Sequence, residues 1–329
     1  MALVVLHPGL RTTVQDRGRF GYREWGVPVG GAFDQAALAL ANALLGNPPD
    51  AAALELTLVG GTYRAEVPLA IALAGAPMEA AMEAADGTRR PLHIPQTATL
   101  YAGETLILGG TPRGARTYLA VRGGWQTPPV LGSRSSEMPL KAGDRLPAAP
   151  GTTPVRRPAE AWPGMEADGP IRILDGPDAA LIDPRLWETA LFRVAPKSDR
   201  MGLRLVGTAL DLASDPERVS TPVAPGAVQV AGGQPILLGP ACGTMGGYPH
   251  VAHVISADLD RLAQLRPGDE VRLQRVEWDE ARHLDRQHRR CLAERVLRTI
   301  ALTRGESWGE ISPQRAQRIQ REDREKEKQ

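Results

Sequence analysis

Four clusters of polar side chains and glycines hold the residues best suited to chemistry in this sequence. The first is Thr12-Thr13-Val14-Gln15-Asp16-Arg17-Gly18-Arg19, followed by Gly26-Val27-Pro28-Val29-Gly30-Gly31-Ala32-Phe33-Asp34. Glycines let backbone amides approach a ligand, and Asp/Arg pairs orient carboxylate, amide or phosphate groups. The second is Gly132-Ser133-Arg134-Ser135-Ser136, where hydroxyls flank an arginine as in an anion site. The third runs from Lys197 through Ser198-Asp199-Arg200-Met201-Gly202 to Arg204, basic residues alternating with turn formers. The fourth is Gly243-Thr244-Met245-Gly246-Gly247-Tyr248-Pro249-His250, a loop able to wrap a small ligand with its amides. Each has a plainer reading. Asp16 and Arg17 pair across a turn, Asp34 caps a helix, Ser-Arg-Ser is ordinary loop chemistry, 197–204 is solvated surface and 243–250 is a tight barrel corner. Asn42 is more suggestive, because it lies on a largely apolar helical stripe and needs a partner there, substrate or backbone.

Common catalytic signatures are absent. There is no loop ending in Gly-Lys-Ser/Thr, no Gly-x-Gly-x-x-Gly opening a helix and no His-Glu-x-x-His. Gly305-Glu306-Ser307-Trp308-Gly309 matches the serine-hydrolase pattern, but it follows a charged helix rather than a strand, so the elbow that exposes the nucleophile is missing. The six histidines show no metal spacing. His250 and His253 should point to opposite faces of a strand, and His283 and His288 fall on a charged helix, at the surface. No metal is expected. Lys+Arg 39 against Asp+Glu 38 leaves no field to draw nucleic acid or an anionic membrane. Cys242 and Cys291 are too few for a disulfide framework. The most apolar run, Leu69 to Ala76, is far short of the roughly 20 residues of a spanning helix. With no signal-peptide pattern at the start, a cytoplasmic protein is expected.

The elements that must position these clusters are mostly short strands. Apolar runs at Leu3–Leu6, Leu69–Leu73, Thr105–Leu108, Thr117–Val121, Ile171–Leu174, Pro235–Leu238, Val251–Ile255 and Val271–Val276 have strand length and are punctuated by Gly and Pro. Gly103-Glu104, Gly143-Asp144 and Gly268-Asp269 each announce a strand, which reads as repeated hairpins of closed or nearly closed antiparallel structure. Asp34 caps a helix to Leu45, ended by Gly46-Asn47-Pro48. A second helix is expected from about Ala257 to Leu265. Asp279 to Leu302 is a charged helix with Leu292, Val296 and Ile300 in line to dock on the body, and Ser312-Pro313 opens a last charged segment. The stretch from Pro147 to Gly169, dense in Pro, Ala and Gly, is a linker. The division expected is 1–150, a linker at 151–169, 170–278 and a tail at 279–329.

Taken in order, the clusters resemble a bacterial family described as the 5-oxoprolinase C subunit, allophanate hydrolase subunit 2 or biotin-dependent carboxyltransferase, over about Leu3 to Leu297. The resemblance rests on residues 12–19, Gly-Val-Pro with Gly-Ala-Phe-Asp, Ala41-Asn42 with Leu45-Gly46-Asn47, and Leu54-Glu55-Leu56-Thr57. It continues through Leu131-Gly132-Ser133-Arg134-Ser135, Ser198-Asp199-Arg200-Met201-Gly202, Pro225-Gly226-Ala227-Val228-Gln229, Gly-Gly-Tyr-Pro and Pro267-Gly268-Asp269. It implies a mainly β fold of two tandem cyclophilin-like β-barrels with a few short helices and a C-terminal helical tail. It also implies work in a complex: with a homologous B subunit and a separate A subunit, an ATP-dependent opening of 5-oxoproline to glutamate. Two alternatives follow from other relatives. One is a carboxyltransferase that moves a carboxyl group from biotin to urea or a related amide; the other is a non-catalytic regulator that binds the homologue of the B subunit.

Opening a lactam requires stabilising charge on an amide oxygen, which amide donors with a cation do well. On that account Gly246, Gly247 and Arg200 or Arg134 face the oxygen, with Asp34 or Asp16 positioning the ring nitrogen. Asp34, Asp16 and Arg200 are the expected catalytic residues. Gln15, Arg17, Asn42, Ser133, Arg134, Ser135, Gln229, Thr244, Gly246, Gly247 and Tyr248 are the expected substrate-binding residues for a small molecule. The chain also departs from the family pattern. Ser136-Glu137-Met138-Pro139 replaces a second glycine-rich loop, and Ala241, Gly243 and Met245 replace polar residues before Gly-Gly-Tyr-Pro, leaving only Thr244.

Overall fold

The computed structural model describes residues 2–158, 169–212 and 217–304. The Gly305–Gly309 match, the segment from Ser312-Pro313 and the middle of the expected linker lie outside these residues.

The fold is mainly β. In the first half the strands are β1 (Leu3–His7), β2 (Arg11–Gln15), β3 (Ala53–Thr57), β4 (Thr62–Ala65), β5 (Leu69–Gly75) and β6 (Ala80–Glu83). They continue with β7 (Arg89–Leu92), β8 (Gln96–Leu100), β9 (Thr105–Leu108), β10 (Arg116–Val121) and β11 (Arg145–Leu146). Two sheets form, ordered β11-β1-β4-β9-β6-β7 and β2-β3-β10-β5-β8. They enclose one aliphatic core, with Leu3, Val5, Leu54, Leu56, Leu69, Ile71, Leu106 and Trp125 all nearly inaccessible. β5 and β10 are buried along their whole length, which is why β5 is a continuous apolar run rather than an alternating one, while the buried Arg116 at the start of β10 is paired with Glu55.

The second half contributes β12 (Ile171–Asp175), β13 (Phe192–Val194), β14 (Gly202–Gly207), β15 (Thr221–Pro222) and β16 (Ala227–Ala231). After these come β17 (Gln234–Leu238), β18 (Met245–Gly246), β19 (His250–Val254), β20 (Glu270–Val271) and β21 (Leu273–Arg275). Eight of them form one sheet, β20-β13-β14-β17-β16-β19-β12-β21. Its two edges, β20 and β21, are separated along the chain by Arg272 alone. The sheet therefore curls until its ends nearly meet, around Phe192, Leu203, Leu205, Val228, Leu237, Val251 and Leu262. The expected run Val271–Val276 splits here because Val271 and Leu273 face the same core while pairing with different strands.

Helix α1 (Gln35–Leu45) starts where Asp34 accepts a hydrogen bond from the Ala37 amide and ends at Gly46, whose φ of 72° only glycine adopts without strain. Every residue from Ala36 to Leu45 is buried. One side packs on the sheet, where Ala70, Ala72, Ala74 and Ala120 leave room for a close approach. The other side is covered by Leu292, Val296 and Ile300 of the C-terminal helix. Burying each leucine of α1 contributes roughly 1.5–3 kcal/mol. The short helices α2 (Leu186–Thr189) and α3 (Leu259–Leu262) precede α4 (Trp278–Arg304). The outer face of α4 carries the pairs Asp285–Arg289 and Arg290–Glu294. The helix expected over Ala257 to Leu265 is shorter than its sequence suggests: a 3₁₀ turn at Ser256–Asp258 runs into α3.

The three Gly-acidic turns share one construction. Gly103, Gly143 and Gly268 have φ of 85°, 92° and 92°. The acid that follows accepts a bond from the amide three residues back: Glu104 from Tyr101, Asp144 from Lys141 and Asp269 from Arg266. They do start strands, but not hairpins. Gly103 carries the chain from β8 in one sheet to β9 in the other, whereas Gly268 leads from α3 into β20.

Candidate functional site

β2 delivers Asp16 to the loop that ends the first half. Its Oδ1 accepts from Ser133 Oγ (2.6 Å), Ser135 Oγ (2.6 Å) and the Gly18 amide (2.8 Å), and its Oδ2 from the Arg134 amide (2.5 Å). Burial pushes this carboxyl up, but the hydroxyl and amide donors outweigh it and hold it below its ordinary value. Gln15 is fully buried beside it, donating to Thr13 Oγ1 (2.9 Å) and the Ser136 carbonyl (2.8 Å). Arg134 turns onto its own loop, to the Thr127 carbonyl and Gln126 Oε1. Arg17 is exposed and lies over the Phe20 ring. Asp16, Ser133, Arg134, Ser135 and Gln15 are thus one knot, in which both Asp16 oxygens are filled from within while the buried Gln15 Oε1 has no partner among the described residues.

Arg200, an expected catalytic residue whose plainer reading is solvated surface, is 2% exposed. It projects from the β13–β14 loop into the first half. Nη1 meets Glu55 Oε1 (2.5 Å), Nε meets Glu137 Oε2 (2.9 Å) and Nη2 meets the Gly31 carbonyl (2.6 Å). Burial lowers the guanidinium pKa, and the attraction of Glu55 and Glu137 more than reverses that. Glu55 also accepts from the Phe33 amide (2.9 Å) and the Tyr118 hydroxyl (2.7 Å), and Arg116 Nε stands 3.4 Å away. Burial raises the Glu55 carboxyl and the two arginines bring it below its ordinary value. Arg116 sits over the Phe33 ring at 4.4 Å.

Asp34 is also at the junction. Besides capping α1 it accepts from Gln264 Nε2 (2.6 Å), a residue of the second half. Burial, then the charge of Asp260, raises it to about 7 despite the bonds from Gln264 and the Ala37 amide. Asp260 in turn accepts from the Gln35 amide (2.8 Å) and stands 3.4 Å from His288 of α4. His288, expected at the surface, is half-buried and raised by its bond to Asp260.

The third group is more open. β15 and β18 pair Thr221 with Gly246 and Pro222 with Met245. Gln229 Nε2 donates to the Tyr248 carbonyl (3.1 Å), and a Cβ on Gly246 would collide with that nitrogen. Thr244 and Gly246 are half-buried; Gly247 and Tyr248 are exposed. This loop adjoins the glycine-rich loop of the first half, for Gly30 donates to the Pro240 carbonyl (3.1 Å), Arg23 to that of Val223, and Val223 to that of Thr244 (3.0 Å). Ala241 donates to the Arg200 carbonyl (3.1 Å), which links this group to the second.

Asn42 lies apart. It is fully buried in α1, donating to the Ala51 (2.7 Å) and Pro49 (3.3 Å) carbonyls and accepting from Asn47 (2.9 Å), so its partners are scaffold. His250 and His253 do not diverge as their spacing suggests: their nitrogens are 3.4 Å apart. The register between β16 and β19 skips Val251, and that bulge turns both rings to one side. Residue type and spacing do not point to Glu55, Arg116, Tyr118, Glu137, Asp260 and Gln264 as functional neighbours. One signal is present: Glu55 sits between Leu54 and Leu56 in a strand buried on both faces, where a carboxylate demands a cation.

Among the described residues no group of three or more His, Cys, Asp or Glu could hold a metal, and no helix is long and apolar enough to cross a membrane. The sequence model of the carboxyltransferase domain, subdomain A and B, matches residues 25–275. The chain belongs to this family. Within the carboxyltransferase family it is 37% identical over 305 residues to the 5-oxoprolinase C subunit of Escherichia coli (strain K12), covering 85% of this chain and 93% of that protein. It is 29% identical over 322 residues to the urea amidolyase of Lachancea kluyveri, covering 86% of this chain and 17% of that protein. Among solved structures it superposes on TTHA0988 with a TM-score of 0.72 and 35% identity, over 84% of this chain. The chain spans 56% of the length of TTHA0988.

Proposed function

We propose that this chain is the C subunit of a 5-oxoprolinase, working with a homologous B subunit and a separate A subunit to hydrolyse 5-oxoproline to glutamate at the expense of ATP. The observation that carries this reading is the match to 93% of a 5-oxoprolinase C subunit at 37% identity. Burial supports a role inside an assembly: the Gly246–Tyr248 loop, suited to hold an amide oxygen with its backbone donors, is half-buried or exposed in the isolated chain. A lactam there gains from a partner surface that excludes water and strengthens each hydrogen bond. The cytoplasm is the expected location.

In this reading Asp16, Asp34 and Arg200 are positioning residues. Asp16 shapes the 133–135 loop, and Arg200 and Asp34 join the two halves so that the 17–31 and 239–248 loops stay in register. Of the three cations of the 17–31 loop, Arg19 and Arg23 donate to the carbonyls of Ser135 and Val223, which leaves the exposed Arg17, lying over the Phe20 ring, a poor cradle for a triphosphate by itself. In this reading ATP is bound through the partner subunits of the complex.

The test is 5-oxoproline-dependent ATP hydrolysis by this chain purified with its cognate A and B subunits. Glutamate formed only when all three are present supports the reading. A stable complex that instead carboxylates urea from a biotinylated carrier would favour the carboxyltransferase reading, which the urea amidolyase relative keeps in view. A complex with the B subunit and no turnover would indicate a regulator.

A further inference from the structure

The first β body opens between β7 and β8, the outermost strands of its two sheets. A cavity of about 460 Å³ lies in that mouth and shares no residue with the junction described above. Its floor is apolar, formed by the buried Met82, Leu92 and Ala98. Its rim holds Arg90, Tyr101 and Arg157, and among the described residues no carboxylate lines it. Arg90 is fixed by Glu104 at 2.5 Å. Arg157 is held only through Nε, which donates to Gln96 Oε1 (3.1 Å), so among the described residues its two terminal nitrogens keep their donors. A cavity of this size with an apolar floor and a polar rim, at the mouth of a β-barrel, has the form of a small-molecule site.

We propose that this mouth binds a small organic acid, an aliphatic or aryl-alkyl monocarboxylate. The hydrocarbon lies on Met82, Leu92 and Ala98, and the carboxylate takes the free fork of Arg157, with the Tyr101 hydroxyl as a second donor. The occupant also touches the chain that leaves this half. Residues 153–157 form one wall and are tied along β8 by Thr97 and Thr99: the Thr97 amide donates to the Arg156 carbonyl (3.0 Å), the Arg156 amide to Thr97 Oγ1 (2.8 Å) and the Thr153 amide to Thr99 Oγ1 (2.9 Å). A ligand here clamps the start of the connection to the second half, which makes the site an effector site separate from the junction.

Calorimetric titration of the full chain with octanoate and 3-phenylpropanoate, with octan-1-ol as the uncharged control, tests this. At least one acid should bind saturably, at least tenfold more tightly than the alcohol. Arg157→Gln should weaken the acids at least tenfold and leave the alcohol unchanged. Val155→Trp, at an exposed wall position, should obstruct the mouth and weaken all three. Far-UV circular dichroism and the melting temperature of both variants establish that they remain folded. Absence of saturable binding by either acid would overturn the proposal, as would acid binding equal in the wild type and both variants.

Discussion

Arg200 and Glu55, 145 residues apart in the chain, meet at 2.5 Å with both side chains buried. The pair joins the two halves, because Glu55 belongs to β3 and Arg200 to the β13–β14 loop. Glu137, Arg116 and Tyr118 complete a network in which each charge has a partner. Such a network adds less stability than its Coulomb energy suggests, but it tolerates no missing member.

Removing both charges should therefore cost less than the two single removals added together. Glu55→Gln leaves Arg200 and Arg116 buried without their shared counter-charge, and a loss of about 3–5 kcal/mol is expected. Urea unfolding measures it. The double change Glu55→Gln with Arg200→Met should be less destabilised than the sum of the single changes. A single-variant loss below about 1 kcal/mol would mean that the pair behaves as a solvated surface bridge.

Acid should loosen the Asp16 knot and the junction together. Asp16 and Glu55 both lie below their ordinary values of 3.8 and 4.5 in the fold. A depressed carboxyl contributes stability above its unfolded pKa and loses it as pH falls through the folded one. Stability should thus be steady above about pH 5 on this account and fall below it. Asp16→Asn, which strips acceptors from Ser133, Ser135 and the Arg134 amide, should cost roughly 1–3 kcal/mol at neutral pH and blunt the acid limb. Denaturant titrations between pH 3 and 7 read both effects.

The sign is opposite beside α4. Asp34 is raised to about 7 and His288 is raised above 6.5, so the folded chain binds more protons than the unfolded one at both groups. Their contribution is fully present below the unfolded values and declines as pH rises through the folded ones, near 7 for Asp34. Asp260→Asn removes the charge that lifts both groups, and stability of that variant should vary less between pH 6 and 8. An unchanged slope in thermal unfolding over that range would separate Asp260 from the effect.

Gly246→Ala probes the loop at a half-buried position, where the added Cβ meets the buried Gln229 side chain. The added Cβ must displace the Gln229 amide from the Tyr248 carbonyl, since it would collide with Gln229 Nε2. The melting temperature should change little. In the assembled complex, turnover should fall about 10²-fold, as for other misplacements of about 1 Å near a reacting group. Full activity would remove this loop from the site.

Much of the fold is legible along the chain because it depends on local rules. The α1 cap at Asp34 and stop at Gly46, the three Gly-acidic turns, and the Leu292, Val296 and Ile300 stripe all follow from spacing and residue type. The site is legible only as a set of names. Asp16, Arg200 and Gly246 stand out in the sequence, but their neighbours do not, and Asn42 stands out more than its scaffold contacts support.

Sequence alone determined that the chain is built of short strands with a helix from Asp34 to Leu45 carrying a largely apolar stripe, and that it resembles the carboxyltransferases. Tertiary structure decided which charges meet. Glu137 and Gln264 are unremarkable in their own segments, and Glu55 signals only that some cation must reach it; all three acquire meaning when the two β bodies pack. A buried charge is stable only with a partner, and the sequence does not state which of its 39 Lys and Arg residues will arrive. The bulge at Val251 is the same lesson at short range: a single skipped pairing reverses which face a histidine occupies, and the β16–β19 register sets it.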